Sequence, residues 1–535
     1  MRCPGAGRQE VRGSRAPRRV ALLAFVALGG LGANPAGAAP LQTLPVGNPL
    51  EAELRVLDLY PSAALAGRLR LPHLQTLPLQ LAEIEGAGVP AAETGPVVAM
   101  ARARLERVLG RDPAEGFAPD PAYPATPRLL QHLEPEGGRL ELSAGLEGRG
   151  EADEHASRLV SGSGLQLRAA LGLDRWLVFS HVVVGRIDSA RTFADPIVQG
   201  EDVIAHTEDT YLSYTGAGER WGARFGRTRW HWGPGEEGSL LLSKTAPAMT
   251  GLALRGRLAG LRLDAVALSA TLDAATGEQL AAHRLEWQPL DGLRLGITET
   301  ARYRATGWQP LYLAGVIPYF MVQRLETQDD PDSATSLRNN IMVGFDAGWR
   351  IAPGTRVYGE IAVDDLHART SENPDKLAWQ VGWEGAGTVG GSRVTWGGEY
   401  TRVWRFVYTS YFGRAYELQG RPLGFPTGPD ARRLRLRGTW DPAVDWQLFG
   451  AVARTDRGEN TLDQPFVPGS PKVEASTFQG VVERTREFDA GVRWWPAGGV
   501  DLALSAGYRW VDDAAHVPGA RDRSARAAFE VRLTR

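Results

Sequence analysis

Asp501-Leu502-Ala503-Leu504-Ser505-Ala506-Gly507-Tyr508-Arg509-Trp510 alternates without a break. Leu502, Leu504, Ala506, Tyr508 and Trp510 fall on one side, and Ala503, Ser505, Gly507 and Arg509 on the other, the two-residue period of a β-strand. The pattern recurs in Arg433–Trp440, where Leu434, Leu436, Gly438 and Trp440 oppose Arg433, Arg435, Arg437 and Thr439. It recurs again in Asn340–Arg350, where Ile341, Val343, Phe345, Ala347 and Trp349 oppose Met342, Gly344, Asp346, Gly348 and Arg350. Comparable runs open near Leu140, Gly164, Trp176, Thr210, Trp221, Gly251, Leu261, Ala281, Leu293, Arg356, Lys376, Ser392, Asp445, Arg486 and Arg523. Together they predict about 18 strands, each of roughly 22 residues with its connection, the spacing of 9–11-residue strands joined alternately by tight turns and longer loops.

What each face carries separates two all-β architectures. A soluble sandwich buries its apolar face and wets the other, and this many strands would make two or three such domains. Here the apolar face gathers aromatics toward strand ends: Trp349, Trp396, Trp404, Trp440, Trp446, Trp494, Tyr508 and Trp510. An aromatic girdle at a membrane interface predicts that placement, and the Arg-, Glu-, Asp- and Gly-rich opposite face suits a wet lumen. Connections alternate in length too. Ile351–Gly354 and Pro442-Ala443 are tight, whereas Gln309–Arg338 and Glu417–Arg432 are long. The expectation is an all-β chain, a transmembrane antiparallel β-barrel of about 18 strands over residues 136–535. Ala525, Ala527, Phe529, Val531 and Leu533 continue the alternation to the end, although Leu533-Thr534-Arg535 lacks the terminal aromatic usual for barrel insertion.

Residues 1–38 read as a cleaved signal peptide, with six arginines, an apolar run from Val20 to Leu31 and the small-residue site Ala36-Gly37-Ala38. That run is too short to span a bilayer as a helix, and no run of about 18 apolar residues follows it. Cleavage removes Cys3, the one cysteine, and leaves 54 basic and 61 acidic residues of the chain's 60 and 62. The resulting net charge of −7 argues against nucleic acid as a partner, since that affinity rests on neutralising phosphates. Residues 39–135 differ from the rest. Pro and Leu are frequent, Asn48–Leu57 and Pro96–Gly110 carry helical periodicity, and Pro121, Pro124 and Pro127 stiffen the link that follows. A small N-terminal helical domain is expected there.

One segment is too particular for a generic strand: Gly226-Arg227-Thr228-Arg229-Trp230-His231-Trp232-Gly233-Pro234-Gly235, then Gly238-Ser239-Leu240-Leu241-Leu242-Ser243, Ala246-Pro247 and Gly251-Leu252. With Val357–Leu366 and its paired Asp364-Asp365, it resembles the capsule assembly protein Wzi family. The resemblance implies an 18-stranded barrel in the cell outer membrane of a Gram-negative bacterium, with the helical region on its periplasmic side. It also implies a lectin-like role, binding extracellular or capsular polysaccharide and aiding its surface attachment or assembly. The partners implied are that polysaccharide, outer-membrane lipid and the polysaccharide export machinery. A sugar channel or porin is the alternative on the same fold, and function follows fold only loosely.

Candidate polysaccharide contacts come from side chains that stack on sugar rings or fork their hydroxyls and carboxylates. In the motif these are Arg227, Arg229, Trp230, His231 and Trp232. The competing reading is a Gly-Pro turn with Trp packed into the barrel. In the long loops they are Tyr319, Phe320, Arg324 and Arg421. On one strand they are Arg433, Arg435 and Arg437, which otherwise pair with lumen acids such as Glu360 and Asp364. Asp364 and Asp365 suit a cation, sugar hydroxyls or a plain salt bridge. Gly385–Gly390 fits G-x-G-x-x-G but has no helix behind it, so it reads as a hairpin loop. H-E-x-x-H, G-x-S-x-G and P-loop patterns are missing and the histidines are scattered, so no catalytic residue, metal or cofactor is expected.

Overall fold

The computed structural model describes residues 43–44, 51–60, 79–80, 95–109 and most of 131–534; within the last span it leaves out 134–137, 154–156, 160–162, 174, 187–202, 217–219, 306–308, 316, 327–338, 366–373, 472 and 497–499. The expected signal peptide, residues 1–38, and most of residues 39–135 therefore lie outside the described residues.

Eighteen antiparallel strands close on themselves. In chain order they are β1 (Gly138–Asp153), β2 (Gly164–Leu173), β3 (Trp176–Arg186), β4 (Val203–Thr215), β5 (Trp221–Thr228), β6 (Met249–Leu258), β7 (Leu263–Asp273), β8 (Glu278–Leu290) and β9 (Leu293–Arg304). Then follow β10 (Asn340–Ala352), β11 (Thr355–Asp365), β12 (Lys376–Val389), β13 (Ser392–Val403), β14 (Ala431–Ala443), β15 (Trp446–Arg457), β16 (Glu483–Trp494), β17 (Val500–Asp512) and β18 (Arg521–Thr534). Each pairs with its neighbour, and β18 pairs with β1 through Arg526↔Asp153 to Thr534↔Gly145, so no edge is left unpaired.

The alternation becomes an inside and an outside. Phe225, Leu254, Leu285, Ile297, Phe345, Val381, Leu436, Val452, Phe488 and Phe529 are exposed on the outer wall, in register from strand to strand. At the short-turn end Trp176, Trp221, Trp287, Trp349, Trp440, Trp446 and Trp494 form a belt, with Trp446 stacked on Trp494 at 5.4 Å. This belt sits at one interface of the apolar band. Trp404 does not join it. That residue follows β13 and is partly buried against the core inside the barrel, because the strand has already ended and the chain has turned inward. The G-x-G-x-x-G segment also departs from its reading. Strand β12 runs through it to Val389 and the turn is Gly390-Gly391, both at positive φ (58° and 83°). Gly385 lies flat under the ring of Trp396, where a Cβ would collide at 2.4 Å.

Two described helices precede the barrel: α1 (Glu51–Asp58) and α2 (Pro96–Leu109), which pack on each other. They match the two helical periodicities to within three residues at each end. Both dock at the short-turn end. The Gly354 amide donates to Leu59 O, Tyr60 Oη donates to Ala386 O, and Arg104 Nε donates to Val444 O in the β14–β15 turn.

The connection after β9 carries two more helices, α3 (Pro310–Ala314) and α4 (Tyr319–Glu326). Register decides where they lie. Ala281, His283, Ala301, Glu299 and Tyr303 share a parity with the lipid-facing Leu285 and Ile297, so they point outward. Yet Ala281, Ala301 and Tyr303 are fully buried, because Tyr312, Tyr319 and Val322 cover them. Tyr303 stacks on Tyr312 at 4.2 Å, and the Tyr319 amide donates to Glu299 at 2.9 Å. Of the segment 309–338 expected to project as a loop, the described residues of 309–326 are folded against the outer wall, and 327–338 lie outside the described residues.

Candidate functional site

The motif segment is the connection between β5 and β6, residues 229–248, and it turns into the lumen. Trp230, Trp232, Leu240, Leu241 and Leu242 are buried in an apolar core whose wall is Leu268, Leu280, Met342, Ala362 and Ala378. The core is completed by the connection between β13 and β14, residues 404–430, through Val407, Tyr408, Tyr416, Leu423 and Phe425. Tyr408 Oη donates to Leu240 O at 2.7 Å and accepts from the Phe425 amide at 3.1 Å, tying the two loops together. Phe406 and Tyr408 hold positive φ (66° and 70°), a cost of about 1–3 kcal/mol each that only burial and these bonds can sustain.

The polar side of loop 229–248 meets the arginine ladder of β14. Arg433 Nε donates to both Glu237 carboxylate oxygens at 3.0 Å, and Arg433 Nη1 reaches Glu487 at 3.2 Å. Arg435 pairs with Glu237 at 3.2 Å, and Arg437 pairs with Glu236 and, at 3.6 Å, with Glu384. The expected partners Glu360 and Asp364 are occupied elsewhere. Glu360 accepts from Ser239 Oγ and the Leu240 amide, and Asp364 accepts from the Tyr408 amide. The glutamates that count were unread because they lie far away in sequence, in a loop whose inward turn no local pattern announces. Burial opposes ionisation of Glu236, but Arg437, Arg55, Lys244 and Arg435 together outweigh it and hold its carboxyl below the ordinary range.

From the opposite end α1 reaches the same loop. Arg55 of α1 donates to Glu384 of β12 at 2.8 Å and, through both terminal nitrogens, to Pro234 O at 3.1 Å. Lys244 binds Glu51 at 3.0 Å. Beside this, Glu53 and Asp441 form a buried cluster with Arg104 and Arg393: Glu53–Arg104 3.0 Å, Glu53–Arg393 2.5 Å, Asp441–Arg104 2.9 Å and Asp441–Arg393 2.6 Å. Two acids balance two bases, the condition under which buried charge is tolerated. Loop, helix and wall are thus cross-linked into one plug inside the barrel.

The candidate residues scatter accordingly. Trp230, His231 and Trp232 are buried in the plug. His231 is held well below its usual range by burial and by Lys244, and its ring contacts Gly235 O and the Lys244 amide, which makes it a fixed structural imidazole. Arg227 continues the outward row of Trp221 and Phe225 and donates to Thr207 O; Arg229 donates to Lys244 O. Tyr319 is buried under α3 on the outer wall, Phe320 is exposed there, and Arg324 lies in α4 with its side chain outside the described residues. Arg421 is half-buried in a short hairpin, Glu417-Leu418 against Arg421-Pro422, inside loop 404–430.

Two features at the long-loop end remain open to a ligand. The first is a cavity of about 540 Å³ between the plug and the β14–β17 wall, lined by Glu236, Glu237, Arg433, Arg435, Glu487 and Arg509, with Pro426 and Thr427 at its lip. The second is Tyr411-Phe412, the central pair of the turn Ser410–Gly413, closed by Gly413 N to Ser410 O at 3.1 Å. Their rings meet edge-on at 5.4 Å and are 50% and 48% exposed. The turn is braced from below. Arg302 donates to Ala415 O and Glu417 O, Asn340 Nδ2 donates to Arg414 O at 3.0 Å, and Arg414 faces Glu278 at 3.6 Å. This pair escaped the sequence reading, although Tyr411-Phe412-Gly413 in a long connection is the kind of aromatic turn that could have flagged it.

Residues 134–524 match the family model for capsule assembly protein Wzi. The solved structure of Wzi from Escherichia coli, described as a carbohydrate-binding β-barrel and an outer-membrane protein involved in group 1 capsule assembly, aligns at TM-score 0.58 and 16% identity, covering 91% of this chain and 98% of that one. OccAB1 of Acinetobacter baumannii (TM-score 0.44, 11% identity, 75% and 97% covered) and OccD3 (OpdP) of Pseudomonas aeruginosa (0.43, 10%, 79% and 97%) are more distantly similar. No curated protein matches the chain.

Proposed function

The chain belongs to the capsule assembly protein Wzi family, and on that premise we propose that this outer-membrane barrel binds extracellular polysaccharide at its plugged mouth and aids its attachment or assembly at the cell surface. The role is one of holding, without chemistry on the glycan. In an outer-membrane barrel the short turns face the periplasm and the long connections face outward. Loops 229–248 and 404–430 therefore enter from the outside, and α1 and α2 dock from the periplasm. The observation that carries the reading is the braced Tyr411-Phe412 turn standing exposed over the plug. Rigid aromatic faces bind sugar rings at low entropic cost because little is left to order. The neighbouring cavity suits hydroxyls more than bare polyanions, since its four arginines, Arg433, Arg435, Arg457 and Arg509, are balanced by four glutamates, Glu236, Glu237, Glu483 and Glu487.

The test is retention of purified surface polysaccharide by the detergent-solubilised barrel. Tyr411→Ala with Phe412→Ala is expected to weaken retention at least tenfold, about 1.4 kcal/mol, while leaving the folded barrel intact. Unchanged retention removes the mouth from the reading. The channel alternative is met in planar bilayers, where the filled lumen predicts no steady conductance.

A further inference from the structure

The outer wall of β14–β18 changes character abruptly near its outer end. Cross-strand register places Leu434, Arg454, Arg486, Trp510 and Arg523 in one lateral row, and Arg432, Asp456, Arg484, Asp512 and Arg521 in the row above. The row below is Leu436, Val452, Phe488, Tyr508 and Ala525, which is apolar throughout. All share the outward parity of Trp440, Trp446 and Trp494 in the periplasmic belt.

Height follows from the strand. Arg454 lies eight residues along β15 from Trp446, and Arg486 eight residues along β16 from Trp494. At about 3.3 Å per residue and a tilt of roughly 40°, that is about 20 Å along the membrane normal, close to the ~25 Å apolar band of such barrels. The arginines therefore begin where acyl chains end and headgroups start. Trp510, set between Arg486 and Arg523 and packed on Tyr508 at 4.5 Å, marks the same level.

Charge does not balance here as it does in the lumen. Six guanidiniums, Arg432, Arg454, Arg484, Arg486, Arg521 and Arg523, meet three carboxylates. Asp456 is shared by Arg432 and Arg454, Asp512 by Arg486 and Arg521, and Asp513 binds Arg484. Arg486 and Arg521 keep 55% and 69% of their side chains exposed. Such an excess runs against the acidic balance of the whole chain. Guanidinium forks bind phosphate bidentately, and a site at this depth, continuous with the acyl-contacting wall, meets phosphates on lipids.

We propose that the β14–β18 wall is a binding surface for phosphorylated lipid headgroups of the outer leaflet, with Arg454, Arg486 and Arg523 in the inner row and Arg432, Arg484 and Arg521 above. The lipid's acyl chains lie on Val452, Phe488 and Tyr508 while its phosphates bridge adjacent strands. A polysaccharide contact is disfavoured because the patch faces sideways into the membrane and not up from the mouth.

The full-length barrel purified in detergent, incubated with diphosphorylated lipid A and read by native mass spectrometry, tests this. The wild type is expected to retain lipid A, and to retain its dephosphorylated form at least tenfold less. Arg454→Glu with Arg486→Glu and Arg523→Glu should lose lipid A by a similar factor, while polysaccharide retention and the heat-dependent gel shift of a folded barrel stay unchanged. Arg486→Lys alone keeps a charge and should lose only part of the binding. Equal retention of both lipid A forms, or of wild type and triple variant, overturns the proposal. So does loss of polysaccharide with lipid A intact, which would hand these arginines to the glycan. Failure at Tyr411 and Phe412 leaves this result untouched, so the two readings fail separately.

Discussion

Two long connections rich in aromatics meet opposite fates. Residues 229–248 fold into the lumen and residues 309–326 fold over the outer wall, although each carries bulky apolar side chains at a turn-rich junction. Their polar groups explain the difference. The inward loop brings Glu236, Glu237 and Lys244 to a wall offering Arg437, Arg433, Arg435 and, from α1, Glu51. Among the described side chains of the outward segment none is charged; its bond to the wall is the Tyr319 amide donating to the Glu299 carboxylate, beside a His283–Glu299 pair at 3.0 Å. It turns Leu311, Phe320 and Met321 away from the wall, where water would penalise them and lipid does not. Aromatic content says that a loop will be buried. The charges beside it say on which side of the wall.

The largest expected effect breaks this contrast directly. Removing residues 230–244 takes out the apolar wedge and the acids that neutralise the β14 ladder. The barrel should then conduct in planar bilayers, with anions favoured by the uncovered arginines. Removing Pro310–Glu326 should leave the lumen closed. Conductance from the second deletion, or none from the first, would show that the assignment of inside and outside is wrong.

Next in size is the pin at the periplasmic end. Glu53→Gln leaves Arg104 and Arg393 with Asp441 alone, two buried cations to one anion, and breaking such a cluster costs about 3–5 kcal/mol. Chemical unfolding in detergent should show that loss, together with faster proteolysis of α1. The same group gives a pH signature. Burial resists its ionisation, but Arg393 and Arg104 prevail and depress its pKa below 4.5. A depressed carboxyl contributes fully above its unfolded value and loses that contribution as pH falls through the folded one. Docking of α1 should therefore hold from neutrality down to the ordinary carboxylate range and weaken only in stronger acid, as read by labelling a cysteine placed in α1. The Glu53→Gln variant should have a profile flatter across that acid range.

Sequence made the wall legible because a strand's two-residue period is local: Asp501–Trp510 reveals its two faces from ten neighbours alone. It made the plug only half legible. Trp230 and Trp232 read as barrel packing or as sugar platforms, since a Trp beside Gly-Pro fits both, and only the approach of residues 404–430 settles them in the core. Arg433, Arg435 and Arg437 were readable as lumen cations, but Glu236 and Glu237 sit about 200 positions away in a segment with no period of its own. The outward rows of arginines were hidden for another reason. Arg454 and Arg523 are unremarkable on their own strands, and become a surface only when register sets them side by side.

The smallest expected effect sharpens the comparison most finely, because it sets one phenylalanine against another. Phe320 and Phe412 are exposed to almost the same degree, 47% and 48%. They differ in what surrounds them. Phe412 tops a turn braced by Arg302 and Asn340 at the mouth, so Phe412→Ala should lower polysaccharide retention several-fold with little change in unfolding. Phe320 faces the leaflet from α4. Phe320→Ala should leave retention at the wild-type value and cost less than about 1.5 kcal/mol, because a lipid-facing ring exchanges one apolar contact for another and leaves no cavity in the protein. The readout that separates them is quenching by lipids brominated along the acyl chain. A fluorescent label at position 320 should be quenched and one at position 412 should not. If position 320 escapes the quencher, the outer-wall segment stands in water and its apolar face needs another cover.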